Sequence, residues 1–177
     1  MEENLKNEAT KDIIFDVTIK PGDMAHFQLN HYYTGMSCVI GFILSFGALA
    51  LCLIRWNHLE LMQKAVLFLI AFLFLVFQPV SLISKGRNQV KFNPSFKEAF
   101  HYKMNSNGIT VSMLEESEEV KWEDIYKIRE SKKCFFLYFS RVQANIIPKK
   151  QMTTEQCVEV KKLIVEQLPA KKYRLNK

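Results

Sequence analysis

The basic residues of this sequence suggest a chemical role more clearly than any others. Lys149 and Lys150 follow a predicted strand, and Lys171, Lys172 and Arg174 lie in a C-terminal segment without acidic residues. Ammonium and guanidinium groups pair with phosphate oxygens, and each one close to an anionic leaflet contributes about 1 kcal/mol to membrane binding. We therefore predict that these five side chains contact an anionic surface. A solvated tail is the alternative for the last three.

The residue patterns of common enzymes are missing. The sequence has no P-loop, GxGxxG, HExxH or GxSxG motif, and its six glycines are scattered. The four histidines lie in different segments, and the four cysteines form no CxxC pair. The acidic run Glu115–Glu119 is typical of a solvated turn rather than of paired catalytic carboxylates. We therefore expect no enzymatic activity, no cofactor and no metal site, and the unpaired cysteines fit a reducing compartment.

The charge is distributed unevenly along the chain. The net charge is +6, and residues 85–177 alone hold 19 Lys and Arg against 11 Asp and Glu. A basic block that follows an apolar segment favours anionic membrane lipids as the partner. Nucleic acid is the competing partner for a basic block. Lys127, Lys132 and Lys133 alternate with acids and no recognition motif is present, so we expect no nucleic-acid binding.

Two apolar runs have the length of membrane spans. Residues 36–54 and 65–83 carry no charged side chain. Nineteen residues in a helix rise about 28 Å, close to the hydrocarbon thickness of a bilayer. Neither run has the polar stripe of a soluble amphipathic helix. A buried hairpin in a soluble core is the alternative, but a chain this small has little other apolar surface to cover it. The sequence therefore predicts two transmembrane helices.

The flanks of these runs predict their orientation. Only a short polar turn, residues 55–64, joins them, so both termini lie on one side of the membrane. Lys85, Arg87 and Lys91 follow the second run, and basic residues are retained on the cytoplasmic side. Tyr32 before the first run is typical of an interfacial aromatic belt. We predict a multi-pass protein with both termini in the cytoplasm.

Small residues recur along the first apolar run. Ser37, Gly41 and Ser45 are four apart, a spacing that lets two helix backbones approach closely. Packing within the hairpin is one interpretation. A homodimer or a partner helix at the same face is the other. The sequence alone leaves both open.

The segment before the first run alternates apolar and polar residues. Residues 13–18 are predicted to form a strand, and Pro21-Gly22 a turn. Asp23 is predicted to N-cap a short juxtamembrane helix. Whether the strand joins a sheet formed by the C-terminal half stays open at this point.

The C-terminal half has the pattern of short strands followed by one helix. The predicted strands are 96–104, 109–114, 117–121, 125–130, 134–139 and 143–147. Gly108 is predicted to take a positive φ in the first turn. Thr153 and Gln156 have capping-box spacing before a helix that ends near Leu168. Trp122 and Ile125 are predicted to anchor the core, and the buried indole N–H needs a hydrogen-bond partner.

These features resemble a known family. They are the apolar hairpin, the turn ending in Asn107-Gly108-Ile109, the run 120–125, the run Phe135–Phe139, and Ile147-Pro148-Lys149-Lys150 before a terminal helix. Together they resemble the YcxB-like membrane proteins of bacteria over roughly residues 12–168. The resemblance implies a C-terminal domain similar to pleckstrin-homology-like (PH-like) domains and residence in the bacterial inner membrane. It implies no catalytic residues.

The predicted fold is therefore an α+β membrane protein, a two-helix transmembrane hairpin followed by a small PH-like β-barrel or sandwich that a C-terminal helix caps. The predicted parts are 1–34 (strand and juxtamembrane helix), 35–84 (hairpin), 85–169 (cytoplasmic domain) and 170–177 (basic tail). The predicted function is non-enzymatic: the domain binds a partner protein or anionic lipids at the cytoplasmic membrane face. An accessory subunit of a membrane transport or toxin-immunity system is the alternative.

Overall fold

The computed structural model describes residues 12–176. The first 11 residues of the predicted N-terminal part and Lys177 of the predicted tail lie outside this range. The chain divides into two compact units. One, the helical unit, is Met24–Phe92. The other, the sheet unit, comprises the described residues up to Asp23 together with those from Asn93 onward.

Between residues 12 and 92 the structure has four α-helices: α1 (Pro21–Tyr33), α2 (Met36–Ile54), α3 (Leu61–Phe72) and α4 (Gln78–Phe92). The first apolar run is a helix with the predicted bounds. The second run lies within a longer continuous helix, because a π-helical turn at Leu73–Phe77 joins α3 to α4. Pro79 lacks an N–H group and its ring clashes with the preceding turn, and a π-turn relieves such a clash.

The start of α1 differs from the prediction. The helix begins at Pro21, two residues before Asp23. Proline suits the first helical position because its missing N–H has no intrahelical acceptor there. Asp23 lies in the first turn, where its carboxylate accepts from the backbone N–H of Lys20 at 3.1 Å. The predicted N-cap role of Asp23 is therefore wrong.

The helices α2 and α3 pack through small side chains. The buried residues of α2 are Cys38, Gly41, Ser45, Ala48 and Cys52, all on one face. A Cβ at Gly41 would lie 3.2 Å from Cδ1 of Phe74 in the π-turn, so glycine is what allows this approach. The Ser45 hydroxyl donates to the Gly41 carbonyl at 2.8 Å, which satisfies it without a partner helix. Ser37 is exposed, and the neighbouring Cys38 is the first buried residue of the face.

The other faces of these helices are apolar and exposed. Only 28% of the apolar window of Met36–Ile54 is buried, and only 6% of that of Leu61–Phe92. Phe46, Leu69 and Phe77 are each more than half exposed. The two helices are long and apolar enough to cross a membrane, by length and composition.

The helices α1 and α4 approach closely at Gly86. A Cβ there would lie 2.9 Å from the Cα of Ala25, which is closer than real Cβ contacts. We expect Gly86→Ala to lower the free energy of unfolding of the helical unit by about 1–3 kcal/mol, since backbone must shift to admit the methyl group. Gly47→Ala is the matched control, because a Cβ at Gly47 meets nothing within 4 Å. Thermal unfolding of the full chain in detergent, followed by circular dichroism, compares the two. Equal melting temperatures for both variants would contradict the close approach.

In the part of the chain that the structure describes, the sheet unit contains two four-stranded sheets. The first has the order β1 (Ile13–Val17), β2 (Phe100–Met104), β3 (Gly108–Met113), β4 (Glu116–Lys121), and all its pairs are antiparallel. The second has the order β7 (Ala144–Pro148), β6 (Cys134–Tyr138), β5 (Lys127–Glu130), β8 (Tyr173–Arg174), and only β5 and β8 run parallel. The N-terminal strand thus joins the C-terminal half of the chain.

The chain changes sheets between β4 and β5. A 3₁₀ turn at Trp122–Asp124 separates them, and the two strands are not paired. Among the described residues the strands therefore form no closed barrel, so the barrel form of the prediction is wrong. The α+β class is confirmed.

The two sheets and the C-terminal helix α5 (Thr154–Gln167) enclose the core of this unit. Every residue of β6 is buried, and Val160 and Ile164 of α5 are about 1% exposed. The predicted capping box of Thr153 and Gln156 is present. The Gln156 amide also donates to the Ile14 carbonyl at 2.8 Å, which connects α5 to the first sheet.

Gly108 does not have the predicted positive φ; among the described residues no glycine does. It begins β3, opposite Lys121 in the register. A Cβ on it would lie 2.7 Å from the Val120 carbonyl oxygen, so close strand approach rather than turn geometry requires glycine here. The positive φ falls instead on Leu114 (54°), in the turn between β3 and β4.

Candidate anion-binding site

Four lysines line one cavity of the sheet unit. The cavity has a volume of about 490 Å³, and its lining residues, called the lysine pocket below, are Gly22, Asp23, Lys132, Lys133, Lys149 and Lys150. Three separate segments contribute: the first turn of α1, the turn between β5 and β6, and the residues that follow β7. The lining holds four ammonium groups and one carboxylate.

The turn between β5 and β6 holds Lys132 and Lys133. Ser131 is 9% exposed, and its hydroxyl accepts from the backbone N–H groups of Lys133 at 3.2 Å and Cys134 at 2.9 Å. The backbone N–H of Ser131 donates to the Cys134 carbonyl at 2.8 Å, which closes the turn. The backbone of both lysines is thus held in place, while their side chains are exposed.

The other two lysines follow β7 directly. The backbone N–H of Lys149 donates to the Lys133 carbonyl at 2.9 Å, so the two lysine pairs lie side by side. A 3₁₀ turn over Lys149–Gln151 then directs the chain towards α5. In this turn Gln151 forms two 2.8 Å hydrogen bonds with the backbone of Thr18, one as donor and one as acceptor. This contact fixes the start of α1 beside the lysines.

Lys149 forms an ion pair with a buried carboxylate. Its ammonium group pairs with Glu130 and donates to the Ser131 carbonyl at 2.8 Å. The Glu130 side chain is fully buried, and Lys161 forms a second ion pair with it at 2.9 Å. Burial alone raises the pKa of Glu130, but hydrogen bonds from Lys149, Lys161 and the Asn176 backbone outweigh it, and the pKa is lowered.

Lys150 pairs with Asp23. Its ammonium group lies 2.9 Å from one carboxylate oxygen and 3.2 Å from the other. Asp23 is only 8% exposed and also accepts the N–H of Lys20. This single carboxylate therefore serves both the start of α1 and the lysine pocket.

Lys132 and Lys133 have no ion pair with any residue between 12 and 176. Their positive charges, together with those of Lys149 and Lys150, exceed the charge of Asp23 in the same lining.

The thiol of Cys134 lies within range of this field. Burial raises its pKa to about 11, the Asp23 charge adds to that rise, and Lys150, Lys149 and Lys133 oppose it. The thiol is therefore protonated at neutral pH.

The predicted basic contacts divide between two places. Lys149 and Lys150 lie in the lysine pocket, but Lys171, Lys172 and Arg174 do not. The Lys172 ammonium donates to the Glu123 carbonyl at 2.9 Å, and Arg174 belongs to β8 beside β5. The described part of the predicted tail is thus ordered on the sheet unit, with Lys171 and Arg174 exposed.

Trp122 and Ile125 lie in the core, where they were predicted. Trp122 is 6% exposed and Ile125 is 0% exposed. The indole N–H of Trp122 donates to the Asn105 carbonyl at 2.9 Å. The Asn105 side chain in turn accepts the backbone N–H groups of Asn107 and Gly108. Trp122 therefore supports the turn between β2 and β3.

The sequence predicts two of the four lysines of the pocket, Lys149 and Lys150, as anion contacts. The pattern around Lys132 and Lys133 predicts a turn and argues against nucleic-acid binding, because acids alternate with these lysines, but it does not predict an anion contact. Asp23 was considered only as a helix cap. The sequence shows a serine followed by two lysines next to a strongly apolar strand, which is typical of a turn. It does not show that this turn lies close to the start of α1. Among residues 12–176 no group of three or more His, Cys, Asp or Glu side chains is placed to hold a metal ion.

The segment that carries the four lysines is similar to a known protein family. Residues 105–164 match the family model described as YcxB-like protein. The match confirms the resemblance to YcxB-like proteins over this segment, which is shorter than the predicted range 12–168. Neither the curated proteins nor the solved structures contain a match to the chain. The YcxB-like segment includes all four lysines of the pocket and Trp122, while Asp23 and the apolar helices lie outside it.

Proposed function

We propose that this chain is a non-enzymatic integral membrane protein of the bacterial inner membrane. Its two apolar helices cross the bilayer as a hairpin, and both termini lie in the cytoplasm. The sheet unit, which contains the YcxB-like segment, forms a PH-like domain that binds anionic groups at the cytoplasmic face. The observation that carries the proposal is the exposure of the apolar helices, together with a basic pocket on the domain that they anchor.

The exposed apolar surface supports insertion. A soluble protein of this size would bury its most apolar helices, and here 6% of the second window is buried. Each Leu, Ile, Phe or Val near the bilayer centre favours insertion by about 0.3–0.6 kcal/mol. Side chains such as Ile43, Leu53 and Phe68 are exposed and fit a lipid environment. The excess of basic residues after the second helix supports the cytoplasmic placement of the sheet unit.

The packing of α2 supports an anchor rather than a partner helix. Its face of small residues is already covered within the hairpin, where Gly41 meets Phe74. The proposal therefore needs no second transmembrane protein. The arrangement of two four-stranded sheets and one C-terminal helix is compatible with a PH-like domain.

Cysteine labelling tests the topology. The four native cysteines are replaced by alanine, and one cysteine is then introduced at either Asn57 or Val142, both of which are exposed. We expect a membrane-impermeant maleimide to label Asn57→Cys in intact spheroplasts and Val142→Cys only after permeabilisation. Both proteins should stay in the membrane after alkaline extraction. Release into the supernatant, or labelling of Val142→Cys in intact spheroplasts, would contradict the proposal.

A further inference from the structure

We infer that the lysine pocket is a binding site for a dianionic phosphate group, such as a phosphomonoester. The inference concerns the basic surface that the proposed function uses, and it names the ligand chemistry. It rests on the pocket alone, so it does not require the apolar helices to cross a membrane.

The charge of the pocket is uncompensated. Lys149 is paired with Glu130, which it shares with Lys161, and Lys150 is paired with Asp23. Lys132 and Lys133 have no carboxylate partner among the described residues. Both of these lysines line the same cavity, so their positive charges repel each other, and a dianion bound in the cavity relieves that repulsion.

The position of the pocket adds to this attraction. The first turn of α1, a helix of 13 residues, forms part of the lining through Gly22 and Asp23. The N-terminal end of a helix carries a partial positive charge that favours anions. A Cβ at Gly22 would meet nothing within 4 Å, so the space beside this residue is open. The volume of about 490 Å³ admits a phosphate group with part of the molecule that carries it.

The pocket is also held in shape before any ligand binds. Ser131 organises the Lys132-Lys133 turn, and Lys149 is hydrogen-bonded to Lys133 through the backbone. A ligand therefore orders mainly the lysine side chains, which lowers the entropic cost of binding.

The two lysines without a carboxylate partner explain a preference for two charges over one. A phosphodiester carries one negative charge and offsets only one of the charges of Lys132 and Lys133, whereas a dianion offsets both. Asp23 competes with either ligand for Lys150, because a contact of the ligand with that ammonium group displaces the carboxylate. The pocket therefore favours a phosphomonoester over a phosphodiester through Lys132 and Lys133, and Asp23 weakens the binding of both.

The experiment uses the full chain in nanodiscs and follows the backbone amide signals of Lys133 and Cys134 by NMR. In one arm, inorganic phosphate is titrated into phosphatidylcholine nanodiscs. In the other, the nanodiscs contain either phosphatidic acid, a phosphomonoester, or phosphatidylglycerol, a phosphodiester. We expect saturable shifts with a phosphomonoester source and weak or no shifts with phosphatidylglycerol. Shifts in the first arm assign a soluble phosphate, and shifts with phosphatidic acid alone assign a lipid headgroup.

Matched variants separate a site from general electrostatics. We expect Lys132→Gln with Lys133→Gln to weaken binding by roughly tenfold or more, since two charge-assisted contacts are lost. Lys171→Gln with Arg174→Gln removes the same charge from exposed residues outside the pocket, and should change affinity by less than about twofold, because salt screens distant charges. Asp23→Asn keeps an oxygen acceptor for the Lys20 N–H but removes the competing charge. It should strengthen phosphate binding about threefold or more.

The outcomes that overturn the inference are distinct from those that overturn the proposed function. Equal losses in the two double variants, weaker binding in Asp23→Asn, or the absence of saturable shifts with every phosphomonoester source would overturn the site. A failed topology experiment with intact phosphate binding would overturn only the membrane hairpin.

Discussion

Replacing Glu130 with alanine should destabilise the sheet unit by roughly 2–4 kcal/mol. The fully buried carboxylate of Glu130 holds Lys149 and Lys161 and accepts the backbone N–H of Asn176 at 2.6 Å. Removing one member of a buried ion pair leaves its partners uncompensated, which costs about 3–5 kcal/mol when all are buried. Both lysines are partly exposed, so water recovers part of that cost.

The measurement is denaturant unfolding of the full chain in detergent, followed by Trp122 fluorescence in a Trp56→Phe background. Glu166→Ala is the control. That carboxylate is half exposed and lies 3.8 Å from Lys162 one helical turn away, so its removal should have little effect. Similar destabilisation by both variants would contradict the role assigned to Glu130.

The contribution of Glu130 should depend on pH. Its pKa is lowered in the folded protein, because its hydrogen bonds to Lys149 and Lys161 outweigh burial, which acts in the opposite direction. A group with a lowered folded pKa stabilises the native state above its unfolded pKa, here near 4.5, and loses that contribution as the pH falls through the folded pKa. The stability difference between the natural protein and Glu130→Gln should therefore be constant near neutral pH and shrink below about pH 4.5.

Replacing Trp122 with alanine should cost about 3–5 kcal/mol of stability. Trp122 is 6% exposed at the point where the chain passes from the first sheet to the second. Its removal leaves a large cavity there, and the Asn105 carbonyl loses its indole donor. Trp122→Phe keeps most of the volume and loses mainly the hydrogen bond, so about 1–2 kcal/mol is expected.

Hydrogen exchange of the full chain in detergent distinguishes the two Trp122 variants from each other. Trp122→Phe should increase exchange mainly at Asn107 and Gly108, whose N–H groups bond to Asn105. Trp122→Ala should increase exchange throughout both sheets, because global unfolding becomes more frequent. Trp56→Phe is the control, since Trp56 is 45% exposed and lies outside the sheet unit. Unchanged exchange in Trp122→Phe would contradict the role assigned to the indole N–H, and equal exchange in the two Trp122 variants would contradict the role assigned to the volume of the side chain.

Local patterns were sufficient wherever one segment decides its own structure. The apolar run 36–54 predicted α2 with its observed bounds, because an uninterrupted apolar stretch has few other conformations available. The capping box at Thr153 was also predicted from the sequence, since both of its hydrogen bonds lie within four residues. The family resemblance was also readable, and residues 105–164 bear it out.

Local sequence patterns gave wrong predictions where the backbone of a distant segment determines the structure. The turn before β3 suggested a positive φ at Gly108. Glycine is needed there for another reason: the Val120 carbonyl on the neighbouring strand leaves no room for a Cβ. The second apolar helix was predicted to end at residue 83, although it continues to Phe92, because α1 packs on Gly86 beyond the apolar stretch. Hydrophobic periodicity ends where the apolar stretch ends, so it does not report such packing.

The sequence by itself determined the apolar helices, the order of strands and the basic character of the C-terminal half. Only the tertiary structure decided that β1 pairs with β2, and that Asp23 reaches Lys150 across 127 positions of chain. The physical reason is that apolar periodicity and capping act over a few residues. Strand pairing and ion pairs depend on which segments the folded core brings together, and the lysine pocket exists only once three such segments meet.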